Sequence, residues 1–431
     1  MDGLNNKIGI IADDFTGAND SGVQLALKGL RSSVIHDCKN EGSMSNRDVL
    51  IIDTNSRSLG PKEAKAAVKK AALMLQKLGY QHIYKKIDST LRGNIKAELE
   101  AIEEVFQPEL IVIAPALPKM GRTTKLGYHY INGALISETE FGRDPKTPVT
   151  DSYIPHLLIK KGGRKAAVFS EDLLHLAEAE FLKQIDDCLK QAKSWVVCDV
   201  ERESDFQMIL DRFILTGKRI VWVGSAGLIE YIPEALQIKG KTIRSSQPPI
   251  CKTLTVSGSL SHITNLQLEE ATRLEDVYSI KLDVRKLIQP VFESSSILKE
   301  MKSHSNAKHY IVYVESNEEN REIAQNEGEI QGLTKVEISE RIAISLGTLA
   351  KDICNQNQLI NGLILTGGDT AKAVCSMLGI NEMELASEIE PGLPFGRLIG
   401  YERDMWAVTK AGGFGNRESL INAMHFLIRD V

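Results

Sequence analysis

The sequence predicts an α/β protein of two domains, each a largely parallel sheet flanked by helices. Short apolar runs of strand length alternate with helix-length amphipathic patterns along most of the chain, as in successive βα units. The 431 residues exceed what one hydrophobic core usually serves. A polar stretch from 237 to 250, containing Pro248 and Pro249, interrupts the alternation and reads as a linker between residues 1–236 and 251–431.

In the first half, Ile8 to Ala12, Val49 to Asp53, His82 to Ile87, Leu110 to Ala114, Trp195 to Asp199 and Ile220 to Val223 read as strands. Pro61 to Leu78 reads as a helix, with Pro61 suited to its first turn and Gly79 just past its end. Ile95 to Val105 has helical periodicity. Tyr128 to Ile136 departs from the pattern, because Asn132-Gly133 between short apolar segments is a hairpin signal. The second half starts again with Thr253 to Val256, Val277 to Leu282, Tyr310 to Val314 and Leu359 to Leu365. A helix then runs to Leu378, before Gly379.

Composition excludes several function classes. The net charge is −5 and no dense Lys/Arg tract with interleaved aromatics occurs, which argues against a nucleic-acid partner. Met1 to Lys7 lacks the basic segment and apolar core of a signal peptide, and no apolar stretch approaches the roughly 20 residues that span a bilayer. Cys38, Cys188, Cys198, Cys251, Cys354 and Cys375 are scattered without close pairing. Reduced thiols in a cytoplasm are therefore expected. The histidines form no metal-ligand pair at helical spacing.

Candidate chemistry begins at Asp13 and Asp14, which follow the first apolar run and lead into Phe15-Thr16-Gly17-Ala18. In an open α/β sheet that carboxyl end is where ligands bind. A capping role needs only one acidic residue, and two are present. The third strand ends in Asp88-Ser89-Thr90-Leu91-Arg92-Gly93-Asn94. A carboxylate, two hydroxyls and a guanidinium suit a polyhydroxylated anion, since carboxylates accept from hydroxyls and Arg forks onto acid groups. The alternative is that Ser89 or Thr90 caps the next helix and Arg92 is a solvated charge.

In the second half, Leu365 runs into Thr366-Gly367-Gly368-Asp369-Thr370-Ala371. Glycines there let backbone approach a ligand, and free N–H groups at a helix start favour an anion. Gly368 is expected to adopt a conformation reserved for glycine. Ser257-Gly258-Ser259 follows the first strand of this half and Gly412-Gly413-Phe414-Gly415 precedes its last helix. Three small-residue loops at strand ends fit a nucleotide pocket; scattered loop glycines are the alternative.

Taken in order, Ile11 to Ala18, Thr54 to Arg57, Lys85 to Gly93, Met120 to Thr123, Thr366 to Thr370 and Gly412 to Gly415 resemble the four-carbon acid sugar kinases along essentially the whole chain. The resemblance implies a sugar-acid-binding domain at 1–236, a nucleotide-binding domain at 251–431 and an active site in the cleft between them. It also implies ATP-dependent phosphorylation of a tetronic acid, assisted by Mg²⁺. Carried onto matching positions, Asp13, Asp14, Arg57, Lys86, Ile87, Asp88, Ser89 and Arg92 would contact the sugar acid. Asp88 or Asp13 would lie beside the reacting hydroxyl, with Arg57 and Lys86 at the acid end. Ser257, Gly367, Gly368, Asp369, Thr370 and Gly412 or Gly413 would contact ATP, and Asp369 would orient Mg²⁺ through water.

The stretch 138–150 resembles the D-threonate kinases, with D-erythronate and 3-oxo-tetronate as alternative substrates; homo-oligomerisation is left open. Two non-kinase readings compete. In a nicotinamide-dependent dehydrogenase, the carboxylates of Ala12-Asp13-Asp14-Phe15-Thr16-Gly17 would oppose a pyrophosphate. A sugar-acid sensor would need the same pocket without turnover.

Overall fold

A computed structural model describes residues 7–36, 47–144, 147–159, 166–241, 249–259 and 261–428. Cys38, Pro145, Lys146 and residues 242–248 of the expected linker lie outside them. Internal contacts divide the chain into two units, Met1–Thr242 and Ile243–Val431.

Among the described residues, the first unit carries parallel strands in the order Ser32–Ile35, Val49–Asp53, Ile8–Ala12, His82–Lys86, Ile220–Gly224, Leu110–Ala114, Trp195–Cys198, Ala166–Phe169. The central strands are apolar without alternation because helices cover both faces of a parallel sheet. Val49–Asp53 lies on one side of Ile8–Ala12 and His82–Lys86 on the other, so the strand order reverses there. Ala12 stands level with both Asp53 and Lys86. Ligands of open α/β sheets sit outside the carboxyl ends of strands at such a switch point.

The Pro61–Lys77 helix starts on Pro61 and ends as expected, with Gly79 at φ +77°. Its Val68, Ala72 and Leu75 bury toward the sheet, as do Leu99 and Ile102 of the Ile95–Phe106 helix. Leu99→Ala would cost about 2–5 kcal/mol, because a rigid core does not collapse into the cavity. Arg122–Lys125, Tyr128–Ile131 and Ala134–Leu135 form a separate antiparallel ribbon. Asn132 and Gly133 take the positive φ values, +49° and +83°, that its two-residue turn requires. Asp199 fixes the other turn by accepting from the Leu126 and Gly127 N–H groups at 2.6 and 2.9 Å.

In the second unit, Val277–Lys281, His309–Tyr313, Lys252–Ser257, Ile360–Thr366 and Met405–Lys410 are parallel neighbours in that order. Pro394–Ile399 and Glu382–Glu388 continue the sheet antiparallel. Ser257, Thr366 and Lys410 end three adjacent strands at one level. Ser32–Ile35, Ala166–Phe169 and the three C-terminal strands go beyond the sequence reading. The first is four residues long with two serines, and Glu382–Glu388 alternates with charge, so neither shows a continuous apolar run. No described helix is long and apolar enough to cross a membrane.

Candidate active site

Three loops leave the level of Ala12, Asp53 and Lys86. The first carries Asp13 and Asp14 into the Phe15–Leu27 helix. Asp14 caps that helix, its Oδ1 accepting from Gly17 N at 2.9 Å, so capping accounts for one of the two carboxylates. Asp13 is buried beside it.

Arg57, on the second loop, grips both. Its Nε and Nη2 donate to Asp13 at 2.9 Å each, while Nη1 and Nη2 donate to Asp14 at 2.7 and 2.8 Å. The sequence reading aims this fork at a ligand acid; in the structure it is aimed at the protein's own carboxylates. Burial pushes the Asp13 carboxyl up, but the charges of Arg57, Lys85 and Lys86 together hold it below its ordinary value. Burial also opposes the charge on Arg57, yet Asp13, Asp14 and Asp88 raise its pKa well above the usual value.

On the third loop, Asp88 Oδ2 accepts from Thr90 Oγ1 and Arg92 Nε at 2.6 Å each, and Oδ1 accepts from Thr90 N at 3.1 Å. Burial raises the Asp88 pKa, but Arg57, Arg92 and these hydrogen bonds hold it far below the carboxylate range. Asp88 is thus a fixed anion and a weak proton acceptor. Arg92 continues to Asp144 at 3.2 Å and lies over the Phe141 ring. Leu91 stands at φ +58°, rare for a branched residue, and is held there by its buried side chain. Lys86 Nζ is buried and donates to the Ile87 carbonyl at 3.0 Å, so Ile87 offers the site its backbone and the core its side chain.

Beneath the loops, Lys85 and Glu98 form an ion pair at 2.9 Å with side chains 0% and 1% exposed. Glu98 accepts from Ser56 Oγ at 2.7 Å, and Lys85 donates to the Lys86 carbonyl at 2.7 Å. Thr54 Oγ1 lies 2.8 Å from Ser56 Oγ and donates to the Ala12 carbonyl at 2.7 Å. This chain ties the three strand ends together. Losing one partner would strand a buried charge.

In the second unit, Gly367 at φ +92° precedes the Gly368–Met377 helix, so the glycine-only conformation expected at Gly368 belongs to Gly367. The first-turn N–H groups of this helix have no intrahelical acceptor, which favours an anion. Asp369 is exposed in that turn, and Thr370 is buried against Gly258. Ser257 is buried and accepts from Thr366 Oγ1 at 2.7 Å. A Cβ on Gly412 would collide with Ser259, whereas Gly413 is exposed with open space around it. Lys410, 3% exposed, donates to the carbonyls of Ala411, Gly412 and Phe414 at 2.9, 3.2 and 3.2 Å. Burial lowers its pKa to about 8. Among the described residues, no group of three or more His, Cys, Asp or Glu is arranged to hold a metal ion.

From sequence alone, Arg122, His129 and Lys410 carry no expected role. Arg122 Nη1 donates to Ser89 Oγ. His129 Nε2 lies 2.8 Å from the Ser89 carbonyl, which accepts only, so Nδ1 accepts from Thr124 Oγ1 at 3.1 Å. Burial lowers the His129 pKa to about 4. These contacts join the antiparallel ribbon to the Asp88 loop, and only Met120-Gly121-Arg122-Thr123 hinted at them.

Family models match the chain as a sugar-binding N-terminal domain over residues 8–232 and a nucleotide-binding C-terminal domain over 254–420. The chain is 32% identical to a D-threonate kinase of Salmonella typhimurium, covering 98% of each. It is 28% identical to a D-erythronate kinase of Heliobacterium modesticaldum over 99% of this chain and 98% of that one. A 3-oxo-tetronate kinase of Brucella melitensis is 29% identical over 97% and 95%. A solved Haemophilus influenzae protein shares the fold at a TM-score of 0.76 and 24% identity, covering 97% of this chain and all of that one. With both halves matched in order, the chain belongs to the four-carbon acid sugar kinase family.

Proposed function

We propose that this protein is an ATP-dependent kinase that converts D-threonate to D-threonate 4-phosphate. The observation that carries the reading is that each unit ends neighbouring parallel strands at one level in loops of matching chemistry. Carboxylates, hydroxyls and cations suit a sugar acid in residues 1–236, and small-residue loops with a helix start suit a nucleotide in 251–431. The similarity to a D-threonate kinase over 98% of the chain supports the choice of substrate.

In this reading Asp13, Asp14, Lys86, the Ile87 backbone, Asp88, Ser89 and Arg92 surround the sugar acid, with Arg57 holding the two aspartates. Ser257, Gly367, Gly368, Asp369, Thr370, Gly412 and Gly413 line the ATP site, with Ser257 acting through Thr366. Phosphoryl transfer needs positioning and charge neutralisation more than a strong base. Asp88, ionised and fixed, orients the C4 hydroxyl toward the γ-phosphorus, with Asp13 nearby. The bond to the β,γ-bridging oxygen breaks, ADP leaves, and the hydroxyl proton is released as the new ester forms. Asp369 is an exposed carboxylate at the head of the phosphate-binding helix and accepts no hydrogen bond among the described residues. It fits Mg²⁺ held chiefly by phosphates and water, where the ion would neutralise developing charge. The free thiols at Cys188, Cys198, Cys251, Cys354 and Cys375 support a cytoplasmic setting.

The test is ADP release by the purified protein with D-threonate, D-erythronate and 3-oxo-tetronates. Turnover fastest with D-threonate is expected. Binding without ADP would indicate a sensor, and NADH formation a dehydrogenase.

A further inference from the structure

Three arginines surround the Asp88 loop, and protein carboxylates account for two. Arg57 binds Asp13 and Asp14, and Arg92 binds Asp88 and Asp144. Arg122, which opens the Arg122–Lys125 strand, has no carboxylate within ion-pairing distance among the described residues. Its Nη1 donates to the Ser89 hydroxyl, and its Nε is buried without a hydrogen-bond partner. A buried guanidinium N–H without an acceptor is costly, and native proteins ordinarily satisfy such groups with a ligand or water. Burial and the Arg92 charge outweigh the pull of Asp88 and Glu140 and lower the Arg122 pKa. The site therefore holds a cation whose counter-charge is incomplete.

Its position is rigid. Arg122 exchanges backbone hydrogen bonds with Leu117 at 2.8 and 3.2 Å, and His129 on the paired strand holds the Ser89 carbonyl. We propose that Arg122, with the Ser89 hydroxyl, receives the carboxylate of the four-carbon acid and makes the enzyme select acids over uncharged polyols. This inference rests on the sugar-acid kinase reading above. A planar fork matches a carboxylate, whereas Lys86, the site's other cation without a carboxylate partner among the described residues, is a point charge.

Calorimetric titration of the wild type, Arg122→Ala and Arg122→Gln with D-threonate, its uncharged carboxamide and ATP tests the assignment. Gln retains a donor for Ser89, so it serves if the Ala variant does not fold. Both variants are expected to bind D-threonate about 10- to 100-fold more weakly, the range for a charge-assisted hydrogen bond, while carboxamide and ATP affinities change less than about threefold. Equal weakening of acid and carboxamide, or unchanged acid affinity in the folded Gln variant, would overturn it. Weakening toward ATP alone would assign Arg122 to phosphate and overturn it too. A wild type that binds ATP but no tetronic acid would instead overturn the functional reading.

Discussion

Arg57 meets Asp13 through two parallel hydrogen bonds of 2.9 Å, from Nε to Oδ2 and from Nη2 to Oδ1, while its remaining donors turn to Asp14. Arg57→Ala would leave two facing carboxylates without their counter-charge. kcat/KM for the sugar acid should fall on the order of 10²-fold or more, while ATP affinity stays within about threefold. Stability should fall by about 3 kcal/mol, the low end for a broken buried pair, because Arg57 keeps 20% exposure. Lys cannot span both aspartates and should not rescue. Steady-state kinetics, calorimetry and denaturant melts on the three proteins check this.

Asp88 is fixed by Thr90 and Arg92, so its charge and aim matter more than its basicity. Asp88→Asn should remain folded, bind ATP normally and lose on the order of 10²-fold in kcat. Near-normal kcat would remove Asp88 from the reacting hydroxyl.

The strand ends and both candidate ligand loops are legible in the sequence because Ile8 to Ala12 and Leu363 to Leu365 are buried apolar runs that stop at acidic or glycine-rich turns. The reach of Arg57 is not, because its partners lie 43 and 44 residues away. The same holds for His129 and Ser89, 40 residues apart, and for the antiparallel Glu382–Glu388 and Pro394–Ile399 pair, whose alternating pattern carries charge. The sequence marks the turn that carries Gly367 and Gly368, but only the backbone shows which of the two bears the positive φ.

His129 gives the first unit an acid-sensitive contact. Its folded pKa of about 4 lies below the ordinary 6.5, so the unfolded chain takes up the proton first as pH falls. Its contribution is present above pH ~6.5 and lost as pH falls toward about 4, on the order of 1–3 kcal/mol. His129→Gln, which keeps a donor for the Ser89 carbonyl, should flatten the stability-against-pH slope in that window. An unchanged slope would show that other groups carry it, such as His309 of the second unit, whose pKa burial also lowers to about 4.

Gly367→Val places a β-branched side chain at φ +92°, before the turn proposed to bind phosphate. ATP binding should be lost while D-threonate binding persists, measured by calorimetry with a circular-dichroism check of folding. Asp369→Asn is the gentler probe and should reduce Mg·ATP turnover with sugar-acid affinity intact.

The central claim is phosphoryl transfer to the C4 hydroxyl of D-threonate, and proton-coupled ³¹P NMR of the reaction mixture tests it most directly. The expected result is consumption of ATP with one new phosphomonoester signal, split into a triplet by the two protons on C4. A doublet would place the phosphate on a secondary hydroxyl, and no phosphomonoester with any tetronic acid would contradict the account.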